Sequence, residues 1–400
     1  MNTLRRNLPF WQYAGGQFVS GLGTQFTNFA VALIITIKTG SALSFALSLS
    51  LTMVPGLAFS LIGGLASDRF DRLKVLIVVD VLQMLISSSL GVLASENILR
   101  IWELYVAAFL FGTCRSFRYP AAMGVVPALI KDATLEKANS MLGSLAQAAT
   151  LIGPLLANAA ITLTGVATSF FIDGFSFVMS ILSIFLIIGL VETRVKSAPE
   201  GAVRGYGRIL RELRKKKRLF GMLLFSSVLS LAVAPLYASK PKLASEYVVG
   251  TRNGLTILWV TLTAGYLLGA TLLTKISASI DRVKMFFVVH APIVIGFWLL
   301  PYASFFAVRA IYIILGATQA LAEIIMVSVI QSESADHQRG AVFALFNMMG
   351  MWTAPIGLLL AGLVADHDSV YAGFLGGGLL MLAGVLIGIL NDYMLLRRKC

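Results

Sequence analysis

Long apolar stretches separated by short polar breaks fill nearly the whole chain. Between Lys38 and Asp68, 29 consecutive residues contain no Asp, Glu, Lys or Arg, and a helix crossing a bilayer needs roughly 20 apolar residues. The apolar runs do not alternate with polar residues, so they indicate membrane helices and not the strands of a barrel. With charges and Gly, Pro and Asn clusters taken as breaks, the pattern predicts twelve spans at 10–36, 42–66, 75–95, 101–128, 139–164, 168–191, 219–239, 254–276, 285–303, 305–331, 340–365 and 369–391.

Composition and charge placement give the predicted spans an orientation. Of the 400 residues, 58% are hydrophobic and 13% charged, whereas soluble domains have about 25% charged residues. If both termini and alternate loops share one side, that side holds 24 of the 32 Lys and Arg residues, six lie on the other side and two within a span. The positive-inside rule then predicts a multi-pass membrane protein with both termini in the cytoplasm.

The longest polar connector, residues 192–218, divides the chain into two predicted halves of six helices each, 1–191 and 219–400. It contains the basic run RELRKKKRLF at 211–220. This run could bind nucleic acid, but a cytoplasmic loop beside anionic lipid explains it with fewer assumptions. We therefore expect the bilayer to be its partner, and no nucleic acid.

The two halves also resemble each other in sequence. DRLKVLIVVD at 71–80 and DRVKMFFVVH at 281–290 share five of ten residues, which predicts a duplicated six-helix unit. In transporters built from such repeats the substrate site lies near the middle of the bilayer where the halves meet. One chain can then form the whole pathway, so we expect a monomer.

The loop between the second and third spans resembles the signature G-x-x-x-D-R-x-G-R-K of the major facilitator superfamily. It reads GLASDRFDRLK at 64–74, with Asp71 in place of Gly and Leu73 in place of a basic residue. Further stretches, among them GQFVSGLG at 16–23 and IDGFSF at 172–177, are similar to the branch of macrolide-efflux and enterobactin-exporter proteins. The resemblance implies an all-α integral membrane protein with twelve transmembrane helices in two pseudo-symmetric halves.

The resemblance also implies a function for this loop and for the chain. Its charges would form a cytoplasmic latch between helix ends that is made in one state and released in another; the residues concerned are Gly64, Asp68, Arg69, Asp71, Arg72 and Lys74. The chain would be a secondary active exporter, an antiporter that moves a drug or siderophore by alternating access and uses the proton gradient.

Charged residues within the spans are costly and usually face a cavity, so each is a functional candidate. Arg115 and Arg118 lie three residues apart in the fourth span. They could attract an anionic substrate, or they could neutralise Asp80 or Glu323. Snorkelling toward the cytoplasmic headgroups is the alternative, and it suits Arg118 better than Arg115.

The tenth span carries a polar stripe on one helical face. Tyr312, Gly316, Gln319 and Glu323 follow at i, i+4, i+7 and i+11. Glu323 is the proton-carrier candidate, because a carboxyl group in a low dielectric can load and unload a proton near neutral pH; a static ion pair with an arginine is the alternative. Asp80 is a second coupling candidate, or part of the latch through Lys74 or Arg72.

The first span carries a second polar stripe. Gln17, Thr24 and Asn28, together with Ser20, share one face. Such a stripe could line a substrate path or bond a neighbouring helix.

No enzyme chemistry is indicated. The sequence contains no P-loop and no G-x-S-x-G motif, and its three histidines are too dispersed for a metal cluster. We therefore expect no catalytic residues, no metal and no cofactor besides the proton gradient. A lysophospholipid flippase is the alternative function, because YPAAMGVVPALI at 119–130 and KANS at 137–140 also resemble such transporters.

Overall fold

A computed structural model describes residues 7–130, 134–189, 216–247, 251–272, 281–334 and 339–397. Within these ranges the chain is almost wholly α-helical, which confirms the predicted class. The α-helices are α1 Leu8–Thr39, α2 Ala42–Arg69, α3 Arg72–Ser95, α4 Ile101–Leu129, α5 Leu135–Thr164, α6 Ala167–Phe185, α7 Lys217–Ala238, α8 Lys240–Tyr247, α9 Thr251–Leu272, α10 Arg282–Val288, α11 Ala291–Leu299, α12 Phe305–Glu333, α13 Arg339–His367 and α14 Val370–Arg397.

The seventh predicted span, 219–239, ends where the structure ends it, because α7 stops at Ala238 and the short helix α8 follows after Ser239. The ninth predicted span is a broken helix, which consists of α10, α11 and a 3₁₀ turn at Leu300–Tyr302. This break, at His290, lies just before Pro292, whose ring nitrogen cannot donate the hydrogen bond that would continue α10. The break at His290 lies inside an apolar run, so hydropathy alone could not place it, whereas the polar residues after Ser239 mark the end of α7 in the sequence.

In the described part of the chain, eleven helical segments are long and apolar enough to cross a membrane. The helix α4 is not among them, although its 29 residues are sufficient in length. Its charged residues Glu103, Arg115 and Arg118 lower its hydropathy. Arg115 and Arg118, which are functional candidates, therefore also lower the hydropathy by which α4 would be recognised as a membrane span.

The chain divides into two compact units, of which the first comprises Met1–Thr39 and Leu51–Ala198. In this unit α6 packs against α1 and α3, α1 also packs against α5, and α3 packs against α4. Large apolar side chains such as Phe10, Tyr13 and Leu76 form one end of its core. The helices α3, α4 and α5 are therefore held around α1 and α6.

The second unit comprises Gly40–Ser50 and Pro199–Cys400. Here α9 packs against α12, while α7 packs against α13 and α14. The segment Gly40–Ser50, which the predicted boundary placed in the first half, groups with this unit. Its contacts include Asp366 of α13, whose carboxylate accepts hydrogen bonds from the backbone N–H of Ala42 at 2.8 Å and of Leu43 at 3.1 Å and so caps α2. The predicted linker lies outside the described residues up to position 215.

The repeated sequence forms the same local structure in both units. Asp71 accepts hydrogen bonds from the backbone N–H of Leu73 at 2.9 Å and of Lys74 at 3.3 Å. Asp281 accepts the equivalent bonds from Val283 at 2.9 Å and Lys284 at 3.4 Å. Each Asp is the N-cap of the helix that follows, a position that favours this residue type. A carboxylate thus begins α3 and α10 alike.

Candidate functional site

The polar stripe predicted on α12 lies against two other helices of the second unit. The hydroxyl of Tyr237 on α7 donates to Gln319 Oε1 at 2.9 Å, and the hydroxyl of Tyr266 on α9 donates to Glu323 Oε2 at 2.5 Å. Tyr312 is fully buried, and its hydroxyl has no hydrogen-bond partner among the described residues. Three helices therefore contribute to one cluster of amide, carboxyl and phenol groups.

Glycines explain why Tyr266 reaches Glu323. A Cβ atom added to Gly265 or Gly269 of α9 would lie only 2.0 or 2.2 Å from the carbonyl oxygen of Ile313 or Ala317 on α12. The two backbones are therefore in direct contact, as G-x-x-x-G pairs allow in membrane helices. The motif GYLLG at 265–269 is the sequence signal that could have predicted this contact and, with it, Tyr266.

Lys240 was predicted to lie in a loop, but it is buried within the second unit, with 3% of its surface exposed. It follows the break between α7 and α8. Its ammonium nitrogen lies 5.2 Å from the ring centroid of Tyr237 and 4.9 Å from that of Trp259, within the range of cation–π attraction. In the described part of the chain Lys240 has no ion-pair partner, so the aromatic rings carry its stabilisation.

Glu323 has no ion-pair partner among the described residues, whereas Asp80, Asp281 and Asp392 each pair with an arginine. Its carboxylate is exposed on the second unit, and its hydrogen bond with a described residue comes from a neutral phenol. The static ion pair with arginine that the sequence left open does not form among the described residues. The carboxylate of Glu323 therefore has no fixed counter-charge in the described part of the chain.

Asp80 and Arg118 form an ion pair in the first unit, in which Asp80 is fully buried and Arg118 is partly buried. Arg118 Nε lies 2.9 Å from Asp80 Oδ1, and Ser180 Oγ donates to Asp80 Oδ2 at 2.7 Å. Arg118 also donates to Ser20 Oγ at 3.2 Å. Of the partners considered for Asp80, the structure selects Arg118 on α4 and neither Arg72 nor Lys74.

Arg115 does not join this pair. Its side chain is exposed and forms no ion pair with the described residues. The spacing of three residues would place both arginines on one face, but Arg118 turns toward Asp80 while Arg115 remains outside the packed interior.

The loop residues assigned to the latch have separate surroundings. Asp71 caps α3, and Arg72 Nη1 donates to the carbonyl of Gly124 on α4 at 3.0 Å. Arg69 and Lys74 are exposed, and a Cβ added to Gly64 would meet no atom within 4 Å. The side chain of Asp68 lies outside the described residues. The latch therefore stays a prediction.

In the second unit the equivalent loop is tied to two helices by an arginine. Arg218 of α7 donates to Asp281 Oδ2 at 2.6 Å and to Asp392 Oδ1 of α14 at 2.5 Å. Partial burial alone raises the pKa of Asp281, but the hydrogen bonds and charge of Arg218 outweigh it and hold that pKa below its usual range. Asp281 is therefore a carboxylate around neutral pH.

The predicted stripe on α1 divides between two environments. The hydroxyl of Thr24 donates to the carbonyl of Ser20 within the helix at 2.9 Å, and Asn28 is exposed. Gln17 has a buried Nε2 atom without a hydrogen-bond partner among the described residues. Among these polar residues it is Ser20 that contacts a charged side chain.

Comparisons with known proteins agree with this architecture. A family model described as Major Facilitator Superfamily matches residues 13–354. Macrolide efflux protein A of Streptococcus pyogenes is 25% identical over 96% of both chains. The multidrug efflux pump Tap of Mycobacterium tuberculosis is 26% identical over 88% of this chain and 86% of its own.

Solved structures share the fold at low sequence identity. A mutant of the nucleoside transporter NupG has a TM-score of 0.73 and 12% identity, and it covers 96% of this chain and 99% of its own. A bacterial homologue of the human lysosomal transporter Spinster, in an inward-facing and unoccupied conformation, has a TM-score of 0.67 and 12% identity. The match covers 98% of this chain and 96% of that chain.

Proposed function

Because the chain belongs to the Major Facilitator Superfamily and is a membrane transporter of its drug-efflux branch, we propose that it exports an amphipathic drug-like compound by alternating access in exchange for protons. The bacterial cytoplasmic membrane is the proposed location, with both termini on the cytoplasmic side. We propose that a single chain performs the transport cycle, with anionic lipids contacting its basic linker.

The environment of Glu323 carries the proposal of proton coupling. A coupling group must change its charge during the cycle, and a carboxylate already paired with an arginine resists that change. Asp80 is paired in this way, whereas Glu323 contacts a tyrosine hydroxyl. Glu323 is therefore the proposed proton carrier, and the hydroxyl of Tyr266 orients its carboxyl group.

A drug-like substrate is favoured over an anionic siderophore. Of the cations that could bind an anionic substrate, Arg118 is already neutralised by Asp80 and Lys240 is buried between aromatic rings. Arg115 has no ion pair among the described residues, but it lies outside the packed interior of its unit. The relatives' names refer to macrolides and to multiple drugs, and they give no support to the flippase alternative. An aromatic cluster with one carboxylate fits an amphipathic compound of neutral or positive charge.

Transport by purified protein in proteoliposomes tests this proposal, with a radiolabelled macrolide and an imposed pH gradient. We expect the wild type to accumulate the compound against its concentration gradient. Glu323→Gln should lose about tenfold or more of the gradient-driven rate, which corresponds to about 1.4 kcal/mol, while downhill exchange persists.

Glu333→Gln is the matched control, since this exposed glutamate ends the same helix and has no assigned role. Its gradient-driven rate should equal that of the wild type. If Glu323→Gln responded to the pH gradient as the wild type does, proton coupling through Glu323 would be excluded. If no macrolide moved in any variant, the proposed substrate class would be wrong.

A further inference from the structure

A buried seam of small and hydroxyl-bearing residues joins α1 to α6. The two helices run antiparallel, so that Gly16 faces Ser183, Gly23 faces Ser176 and Thr27 faces Asp173. A Cβ atom added to Gly23 would lie 3.0 Å from the Cα of Asp173. Little space for solvent is left around the Asp173 carboxyl group, which is 1% exposed.

The polar contacts of Asp173 in the first unit involve hydroxyl groups. Its Oδ2 atom lies 2.6 Å from Thr27 Oγ1 and 2.9 Å from Ser87 Oγ of α3. Ser87 Oγ also lies 2.9 Å from the carbonyl oxygen of Phe170 and 3.3 Å from Thr27 Oγ1. The other carboxyl oxygen, Oδ1, has no hydrogen-bond partner among the described residues.

Among the described residues, the helices packed against Asp173 bring no cation near it. The charged group of α1 is Lys38, eleven residues beyond Thr27 and so about 16 Å away along the helix axis. On α3 the nearest is Asp80, seven residues from Ser87, or about 10 Å, and it is already paired with Arg118. Lys137 stands at the start of α5, near the opposite end of the bundle, and α6 has no further charged residue.

The number of short oxygen–oxygen contacts also indicates how many hydrogen atoms this cluster holds. Three oxygen–oxygen contacts of 2.9 Å or less join Asp173, Thr27, Ser87 and the carbonyl of Phe170, and each needs one hydrogen. Thr27 and Ser87 supply one each. A proton on Oδ2 supplies the third: Asp173 then donates to Ser87, Ser87 donates to Phe170, and Thr27 donates to Asp173.

We propose that Asp173 is a proton-binding site that holds its proton as a neutral carboxylic acid in this conformation. An ionised Asp173 would place an unpaired charge in a dry interior, which is costly, and would leave one short contact without a hydrogen. Asp80, equally buried, differs in having the guanidinium group of Arg118 beside it. This proposal is independent of proton coupling at Glu323.

Infrared difference spectroscopy of the purified full-length protein at neutral pH tests the assignment. Subtracting the spectrum of Asp173→Asn from that of the wild type should show the C=O stretch of a protonated carboxyl group, shifted in D₂O. The same subtraction with Asp80→Asn should show carboxylate bands in its place. Carboxylate bands for Asp173 would overturn the proposal.

A second variant covers the case in which Asp173→Asn fails to fold. Ser87→Ala removes the oxygen to which the protonated Oδ2 would donate, and it adds no bulk. The acid C=O band should then move to higher frequency, because the O–H group of the acid loses its hydrogen-bond acceptor. An unchanged spectrum in the C=O region would contradict a protonated Asp173. Both infrared results can be interpreted whether or not Glu323 couples transport to protons.

Discussion

At the scale of single residues, the protein treats its buried carboxyl groups in different ways. Asp80 is neutralised by a guanidinium group, while Asp173 contacts hydroxyls. Burying an isolated charge costs far more than burying a paired one. The partner available to each carboxyl therefore determines whether it is a fixed charge or a group that can hold a proton.

The Asp80–Arg118 pair should be needed for stability. Arg118→Gln leaves Asp80 buried without a cation, and we expect a loss of about 3–5 kcal/mol, measured as a lower thermal unfolding midpoint in detergent. The double variant Asp80→Asn with Arg118→Gln should recover much of that loss, since no buried charge remains.

Arg115→Gln is the control for this experiment, because Arg115 is exposed and lies on the same helix. Its midpoint should stay close to that of the wild type. Equal losses in the two single variants would show that the pair contributes nothing particular to stability.

At the scale of helices, small residues determine which faces can approach. Gly265 and Gly269 bring α9 against the backbone of α12, and this contact places Tyr266 beside Glu323. Backbone atoms on the facing helix cannot rotate away as a side chain can. The geometry of the proposed proton site therefore depends on positions that carry no polar group.

Gly265→Ala should disturb both stability and transport. The added methyl group overlaps the carbonyl of Ile313, and overpacking of this kind costs about 1–3 kcal/mol. We expect a lower thermal midpoint and a reduced gradient-driven transport rate, because Tyr266 moves away from Glu323.

Gly376→Ala in α14 provides the comparison, since a Cβ added there meets no atom within 4 Å. Its stability should change by no more than about 0.5 kcal/mol. If the two alanine variants were equally stable, close packing of α9 on α12 would not explain the site.

The sequence predicted the helices better than the contacts between them. Apolar runs located the spans, because a bilayer imposes a minimum length, but they gave no sign of the break at His290. The stripe on α12 was predicted from helical periodicity. Its partners Tyr237 and Tyr266 come from other helices, and periodicity within one helix carries no information about them.

Charge pairing shows the same limit. The sequence offered Arg118 as one of several partners for Asp80, 38 residues away, and only the packing of α3 on α4 selects among them. The sequence did not indicate that Asp173 binds a proton, because its distance from cations is a property of the packed helices.

At the scale of the whole molecule, the distribution of Lys and Arg predicts the orientation in the membrane. Cysteine labelling can test it in a background with Cys114→Ala and Cys400→Ser. In right-side-out vesicles a membrane-impermeant thiol reagent should label Glu96→Cys, which follows α3.

Phe70→Cys, at the other end of α3, is the matched position because its side chain is also exposed. It should react only after the vesicles are permeabilised. The reverse pattern would place the termini outside the cytoplasm and contradict the positive-inside prediction.

The twin N-caps also bear on the ancestry of the chain. If both halves descend from one duplicated gene, Asp71 and Asp281 are the N-cap that the ancestral unit already had. The last positions of the two repeated segments, 80 and 290, differ and so changed after the duplication. In one copy the residue is Asp80, bound to an arginine; in the other it is His290, buried between the rings of Phe225 and Phe286. Divergence has therefore kept the geometry of the helix start and changed the chemistry of the last position. The first half has a carboxylate in an ion pair there, whereas the second half has a histidine. In the second half the proposed proton carrier, Glu323, lies on another helix.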